Sequence, residues 1–153
     1  MKPYIKQMQI RWADLDQNGH MRHSAYYDFG AMIRIEFLAD HGLSTAKMVE
    51  LNIGPVLFRE EAIFKREIKQ DDKVTIDLEV VKGTADFSKW CIRHRFIKAD
   101  GTLAAILNTN GAWIDTNKRK LINQNNHIQI AFDAMPRSSD YETITRGSSA
   151  PTS

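Results

Sequence analysis

The spacing of apolar and polar positions changes twice along the chain. In YIKQMQIRW, residues 4–12, Ile5, Gln7 or Met8, and Ile10 alternate with polar neighbours, which predicts a first strand. The polar stretch ADLDQNGHMRH that follows predicts a loop. From Ser24 the spacing becomes helical: Tyr26, Phe29, Ile33 and Phe37 recur every three or four residues, with Met32, Ile35 and Leu38 beside them. Ser24 or His23 can cap the start, and Gly42 is a natural stop. Only Asp28, Arg34, Glu36 and Asp40 are charged within this helix. A helix so apolar around its circumference calls for cover on several sides. STAKMVELNI, residues 44–53, predicts a short second helix or turn ended by Gly54 and Pro55.

Beyond that point the period is two. VLFREEAIFKREI, KVTIDLEVV, FSKWCIRHRFIK and TLAAILNTNGAWID predict four strands, joined by turns at KQDD, KGTAD and ADG. One strand, one long helix and then a run of strands predict an α+β fold. A meandering, mostly antiparallel sheet of about five strands would curl around the helix. After Met135 the chain is polar and rich in Ser and Thr. It predicts a single domain over residues 1–135 and a disordered tail over 136–153.

Composition narrows the function classes. Of 153 residues, 42% are apolar and 26% charged, with a net charge of +2, values ordinary for a soluble domain. The short basic runs Arg93–His94–Arg95 and Lys118–Arg119–Lys120 read as solvated faces, which argues against nucleic-acid binding. No apolar run approaches the roughly 18–20 residues of a membrane span, and MKPYIKQMQI holds no apolar signal core. Cys91 is the one cysteine, so neither an intrachain disulfide nor a Cys-based zinc site is available. A cytoplasmic, reducing setting is the expectation. Between Trp90 and Ile92, Cys91 reads as a buried core thiol.

The segment DLDQNGH carries the candidate chemistry. Asp14, Asp16, Asn18 and Gly19 match the start of a calcium loop, but the twelfth position, which needs a bidentate carboxylate, is Ala25. The ninth is Arg22, and a strand rather than a helix precedes the loop. No metal site is expected. Two aspartates and a histidine just before a helix N-terminus suit another use. The unpaired N–H groups and positive dipole end there can hold an oxyanion. A nearby carboxylate can then act as nucleophile or as general base for water. That arrangement suits hydrolysis of an activated acyl group, although Asp and Asn are also ordinary turn and cap residues.

RWADLDQNGHMRHSAYYDFGAMIRIEFL, followed by the strand meander, resembles the hotdog-fold acyl-CoA thioesterases, in particular the 4-hydroxybenzoyl-CoA thioesterase-like branch. The signature D-x-D-x-x-G-H-V-N-N-x-x-Y is matched at Asp14, Asp16, Gly19, His20 and Tyr26, with Met21 for Val; Arg34 and Glu36 fall where the helix carries an Arg and an acid. The likeness covers about residues 4–122. It implies that Asp16 is the catalytic carboxylate, as nucleophile or general base, and that the His23 backbone N–H holds the thioester carbonyl. Asp14, Gly19, His20 and Tyr26 would be supporting residues, with Gly19 taking a positive φ. The turn from Lys82 would meet the phosphates of coenzyme A, making Lys82, Lys89 and Arg93 candidates. The substrate would be an acyl-CoA, with coenzyme A part of the substrate and no further cofactor. The active site would form in a homodimer or tetramer, with neither nucleic acid nor membrane as partner. The departures are Arg22–His23 in place of the Asn pair and Ala31 in place of a helix acid. Glu60 and Glu61, adjacent in a strand, face opposite sides and read as a surface pair. Two alternatives remain: an acyl-carrier-protein thioesterase, and a non-catalytic regulator that binds acyl thioesters.

Overall fold

A computed structural model describes residues 2–145. Strand β1 (Tyr4–Gln7) leads through a 3-10 turn (Trp12–Asp14) and a polar loop to the long helix α1 (Ala25–Asp40). A short helix α2 (Thr45–Leu51) precedes four long strands: β2 (Ile53–Phe64), β3 (Val74–Gly83), β4 (Lys89–Lys98) and β5 (Leu103–Asp115). The chain then adds β6 (Lys120–Leu121), helix α3 (Asn126–Ala134) and β7 (Arg137–Thr143). The main sheet runs in the order β1-β3-β4-β5-β2 and is antiparallel throughout, as expected, but only β3-β4-β5 is a meander: β2 crosses to the far edge and pairs with β5 instead of β3. β6 extends β5, and β7 runs parallel to β3.

The period-two pattern explains which face of the sheet meets α1. Val74, Ile76, Leu78 and Val80 of β3, Trp90, Ile92, His94 and Phe96 of β4, and Leu107, Thr109 and Trp113 of β5 are all buried. Against them α1 presents Tyr26, Ile33, Arg34, Phe37 and Leu38. Edge-to-face aromatic pairs lock both ends of the helix. Tyr26 meets Phe64 and Phe96 at 5.0 and 5.2 Å, and Tyr4 meets Phe37 at 5.0 Å. Each such pair contributes about 0.5–1.5 kcal/mol beyond its buried area. Gly30 lies where α1 comes closest to the sheet: a Cβ there would stand 2.3 Å from Leu107 Cδ2.

Several local expectations are corrected. Ser24 occupies the N-cap position of α1, yet its side chain makes no cap bond; its hydroxyl is held by Arg22 instead. Helix α2 stops at Asn52, which takes a left-handed φ of 56°, while Gly54 and Pro55 lie inside β2. Cys91 sits half-buried on the convex face, in register with Lys82 and Asn110, rather than in the core. Its thiol is pushed up to about 11, chiefly by burial.

The tail expected from residue 136 is corrected over its first half. Arg137–Thr143 forms β7, whose backbone pairs with Val80, Lys82 and Gly83. The Arg137 guanidinium stacks on the rings of Tyr141 and Phe87, 4.5 and 5.6 Å from their centroids. Asp140 pairs with Arg93. These polar anchors leave no apolar periodicity to read. Residues 146–153 of the expected tail lie outside the described residues. Among the described residues, no helix is long and apolar enough to cross a membrane.

Candidate active site

The loop between β1 and α1 is held in shape by its own polar groups. Asp14, 1% exposed, accepts the Arg11 backbone N–H at 2.9 Å and its guanidinium at 2.8 Å. Those bonds, with the Arg11 side-chain bond as the largest cause, hold the Asp14 carboxyl below the usual range. A carboxylate so engaged is not free to ligate a cation, which removes the first ligand of the calcium reading. The Arg22 N–H donates to the Asp14 carbonyl at 2.8 Å, and an isolated bridge joins Leu15 to Met21. Between them the chain closes on itself: the Asp16 N–H donates to His20 O at 2.7 Å and the Gly19 N–H to Asp16 O at 3.0 Å. Gly19 has the expected positive φ, +75°.

Asp16 itself is exposed. Its Oδ1 accepts the N–H groups of Asn18 and His20 at 2.9 and 3.1 Å, an Asx-type turn that fixes the carboxylate's orientation. Among the described residues no side chain pairs with Asp16. Nine residues on, at Ala25, the 16-residue α1 begins. The His23 backbone N–H has no protein acceptor among the described residues, so it stands free at the positive end of the helix dipole. Tyr26 fills the wall beside it, 3% exposed. Burial, reinforced by the Asp16 charge, pushes its hydroxyl up to about 12.

Asp16, His20, His23 and Tyr26 converge on one cleft of about 630 Å3. Its other walls are Met21, Phe64, Lys65, Arg66, Glu67, Lys69 and Lys98. The loop docks directly on the segment after β2. The Met21 N–H donates to Ile68 O at 2.6 Å, His20 bridges to Lys69, and His20 Nε2 lies 3.3 Å from Glu67. Nothing in the sequence gathers the cations Lys65, Arg66, Lys69 and Lys98, because KREIK has the pattern of a strand running into a turn. Only the fold brings the end of β4 beside it.

Lys82, Lys89 and Arg93 are not gathered with Asp16. Lys98 lines the cleft, and Lys89 lies nine residues away on the same strand, about 30 Å at the usual rise. Lys82 pairs with Glu142 at 3.8 Å, and Arg93 with Glu79 and Asp140 at 3.4 Å each. Among the described residues, no group of three or more His, Cys, Asp and Glu is arranged to hold a metal.

A second polar constellation lies in the core, where the sequence suggested only solvated faces. Arg34 Nη1 donates to His94 Nε2 at 2.9 Å and to Thr109 Oγ1 at 3.2 Å. A guanidinium has no acceptor, so His94 must carry its proton on Nδ1, which donates to Asp77 O at 2.9 Å. Burial first, then the Arg34 charge, push His94 down to about 3, so the ring is neutral. Glu60 faces this cluster, 3.8 Å from Arg34, while Glu61 turns outward to Arg59 and Asn108. The two faces are as expected, but Glu60 is only partly exposed: its Oε2 is buried without a hydrogen bond. Beyond Arg34, a cavity of about 230 Å3 is lined chiefly by Ile35, Leu38, Leu57, Trp90, Trp113 and Phe132.

Comparison with known proteins places this arrangement. The family model of the thioesterase-like superfamily matches residues 10–136. A Staphylococcus aureus protein solved in complex with CoA superposes with a TM-score of 0.80 at 20% identity, over 90% of this chain and 89% of that one. A DHNA-CoA thioesterase from Staphylococcus aureus gives 0.72 at 22% identity, over 80% and 81% of the two chains. The 1,4-dihydroxy-2-naphthoyl-CoA thioesterase of Synechocystis gives 0.76 at 17%, over 87% and 97%. All three share the curled antiparallel sheet and central helix.

Proposed function

The chain belongs to the thioesterase-like superfamily, a thioester hydrolase with the hotdog fold, and from that premise we propose that it hydrolyses acyl-CoA thioesters with Asp16 as its catalytic carboxylate. One observation carries the assignment. Asp16 is oriented by two backbone N–H groups, unpaired with any cation, and set in the cleft at the N-terminus of α1. The thioester carbonyl accepts the His23 N–H, so charge developing on oxygen meets the positive end of the helix. Water supplies the oxygen that joins the acyl carbon, the C–S bond breaks, and coenzyme A leaves as the thiol. Asp16 acts by attacking the carbonyl or by taking the proton from water. Neither route calls for a metal or redox cofactor.

Asp14 keeps the loop in place through Arg11 and Arg22, and Gly19 allows its closure. His20, engaged by Glu67, is a positioning residue that ties the loop to the segment after β2. CoA as the carrier is supported by the relatives named above, one solved with CoA and two named as CoA thioesterases. Self-association belongs to the same proposal: the free edge of β2 exposes Leu57, Phe58, Ile63 and Phe64. The test is thiol release from acetyl-, hexanoyl-, palmitoyl-, benzoyl- and hydroxybenzoyl-CoA by wild type and Asp16→Asn. Release by the wild type and its near loss in a folded mutant is the expected result. A folded mutant that keeps full turnover overturns the role of Asp16. Tight acyl-CoA binding without release by the wild type favours a regulator.

A further inference from the structure

We propose that Lys65, Arg66 and Lys69, with Lys98, form a phosphate-recognition site that selects the coenzyme A form of the thioester over a protein-borne pantetheine. The inference rests on the cleft handling acyl-CoA thioesters, as proposed above, and adds which side chains distinguish that carrier from a protein-borne one. Its position differs from the turn holding Lys82 and Lys89, where the family resemblance put the phosphates.

The charge balance of the cleft is the first argument. Its walls hold four cations, Lys65, Arg66, Lys69 and Lys98, against two carboxylates, Asp16 and Glu67. Glu67 is already engaged by His20, and Lys98 pairs with Asp72 at 3.2 Å. Among the described residues, Lys65, Arg66 and Lys69 have no carboxylate within 4 Å. Glu67 and Asp72, whose charge acts on Lys69, offset these cations only in part, so the cleft keeps an excess of positive charge and an anion gains from entering.

The second argument is order. The backbone N–H groups of Lys65 and Arg66 both donate to Ala104 O, at 2.8 and 2.9 Å. Ile68, fully buried, pins the middle of the segment, and its carbonyl takes the Met21 N–H of the catalytic loop. The Arg66 guanidinium also donates to Lys65 O at 2.7 Å. The basic run is therefore fixed relative to Asp16, and a phosphate held there has a defined distance to the reacting carbonyl.

The third argument is shape. Coenzyme A carries a diphosphate and a 3′-phosphate, whereas a carrier protein presents its pantetheine through one phosphodiester. Four cations suit the former. An acidic carrier surface calls for cations spread over a convex rim. Here they line a concave cleft of about 630 Å3, the size of a small-molecule site.

The experiment compares kcat/KM for one acyl group on CoA, on dephospho-CoA, on pantetheine and on acyl-carrier protein, using wild type and the double variant Arg66→Ala/Lys69→Ala. Wild type is expected to prefer CoA over pantetheine, with the ratio falling at least about tenfold in the variant, mostly through KM. Raising the salt should erode the same preference. The proposal is overturned if wild type treats CoA and pantetheine thioesters alike, if the ratio is unchanged in the variant, or if the variant loses turnover only on acyl-carrier protein. Should wild type hydrolyse none of these esters, the thioesterase reading fails. Calorimetric binding of CoA against pantetheine then decides the phosphate site alone: weaker CoA binding by the variant upholds it, and equal binding overturns it.

Discussion

Two histidine-and-carboxylate constellations lie along α1, and they differ in what their polar groups have left to offer. At the N-terminal end, Asp16 and the His23 N–H face a cleft with no protein partner for their outward atoms. Halfway along, Arg34, His94 and Thr109 direct their hydrogen bonds at one another and at the Asp77 carbonyl. By residue type alone the second group looks the more catalytic. Its atoms, however, are committed inside a core where an unmatched charge costs several kcal/mol. A site that reacts must keep groups both unengaged and open to substrate: Asp16 is exposed, whereas the one unbonded oxygen of the second group, Glu60 Oε2, is buried beside Arg34.

The sharpest test of that contrast is a pair of substitutions with opposite signatures. Asp16→Asn should lower turnover by about 10²–10⁴, worth about 3–5 kcal/mol of barrier, while thermal unfolding barely shifts. Arg34→Ala should do the reverse. It leaves Glu60 without its counter-charge and His94 without its donor, and should lower unfolding stability by about 3 kcal/mol, read by denaturant titration. Equal effects of both on turnover of folded protein would erase the distinction.

Acid should separate the two regions further. His94 is held at about 3 in the folded protein against about 6.5 when unfolded, so below pH 6.5 the unfolded chain binds the extra proton. Stability should fall as pH drops from about 6.5 towards 3, by up to about 1.4 kcal/mol per pH unit. His94→Gln should be less stable at neutral pH yet flatter across that window. Asp14, held low by Arg11, adds its own loss only in the carboxylate range below it. The smallest effect is expected at Gly19. Its φ of +75° makes Gly19→Ala cost about 1 kcal/mol, seen as a modest drop in melting temperature with a larger drop in turnover as Asp16 shifts.

The sequence made the scaffold plain where one period ran long. Tyr26, Ile33 and Phe37 mark the buried stripe of α1, and the alternation in β3 names its inward residues. Asp16 was legible because its loop carries spacing as well as residue type. His94 was hidden inside RHR, although Trp90, Ile92 and Phe96 at the same parity signal an inward position. Helix α3, with Ile128, Ala131 and Phe132 buried over nine residues, is too short for its period to stand out. The basic wall of the cleft could not be read at all. Lys65 and Lys98 are far apart in sequence, and only the sheet's order brings the ends of β2 and β4 to one loop.

The sheet's two borders are unequal in a way that governs growth. One border is β2, a single strand of twelve residues with one bulge at Phe58. The other is split between β1, antiparallel to β3, and β7, parallel to it, so the two pieces run in opposite directions. An incoming strand cannot stay in register with both. Edge-to-edge addition through β2, as proposed above, would consume the one continuous border on each copy and would close that sheet at two, whereas two like borders would permit fibres.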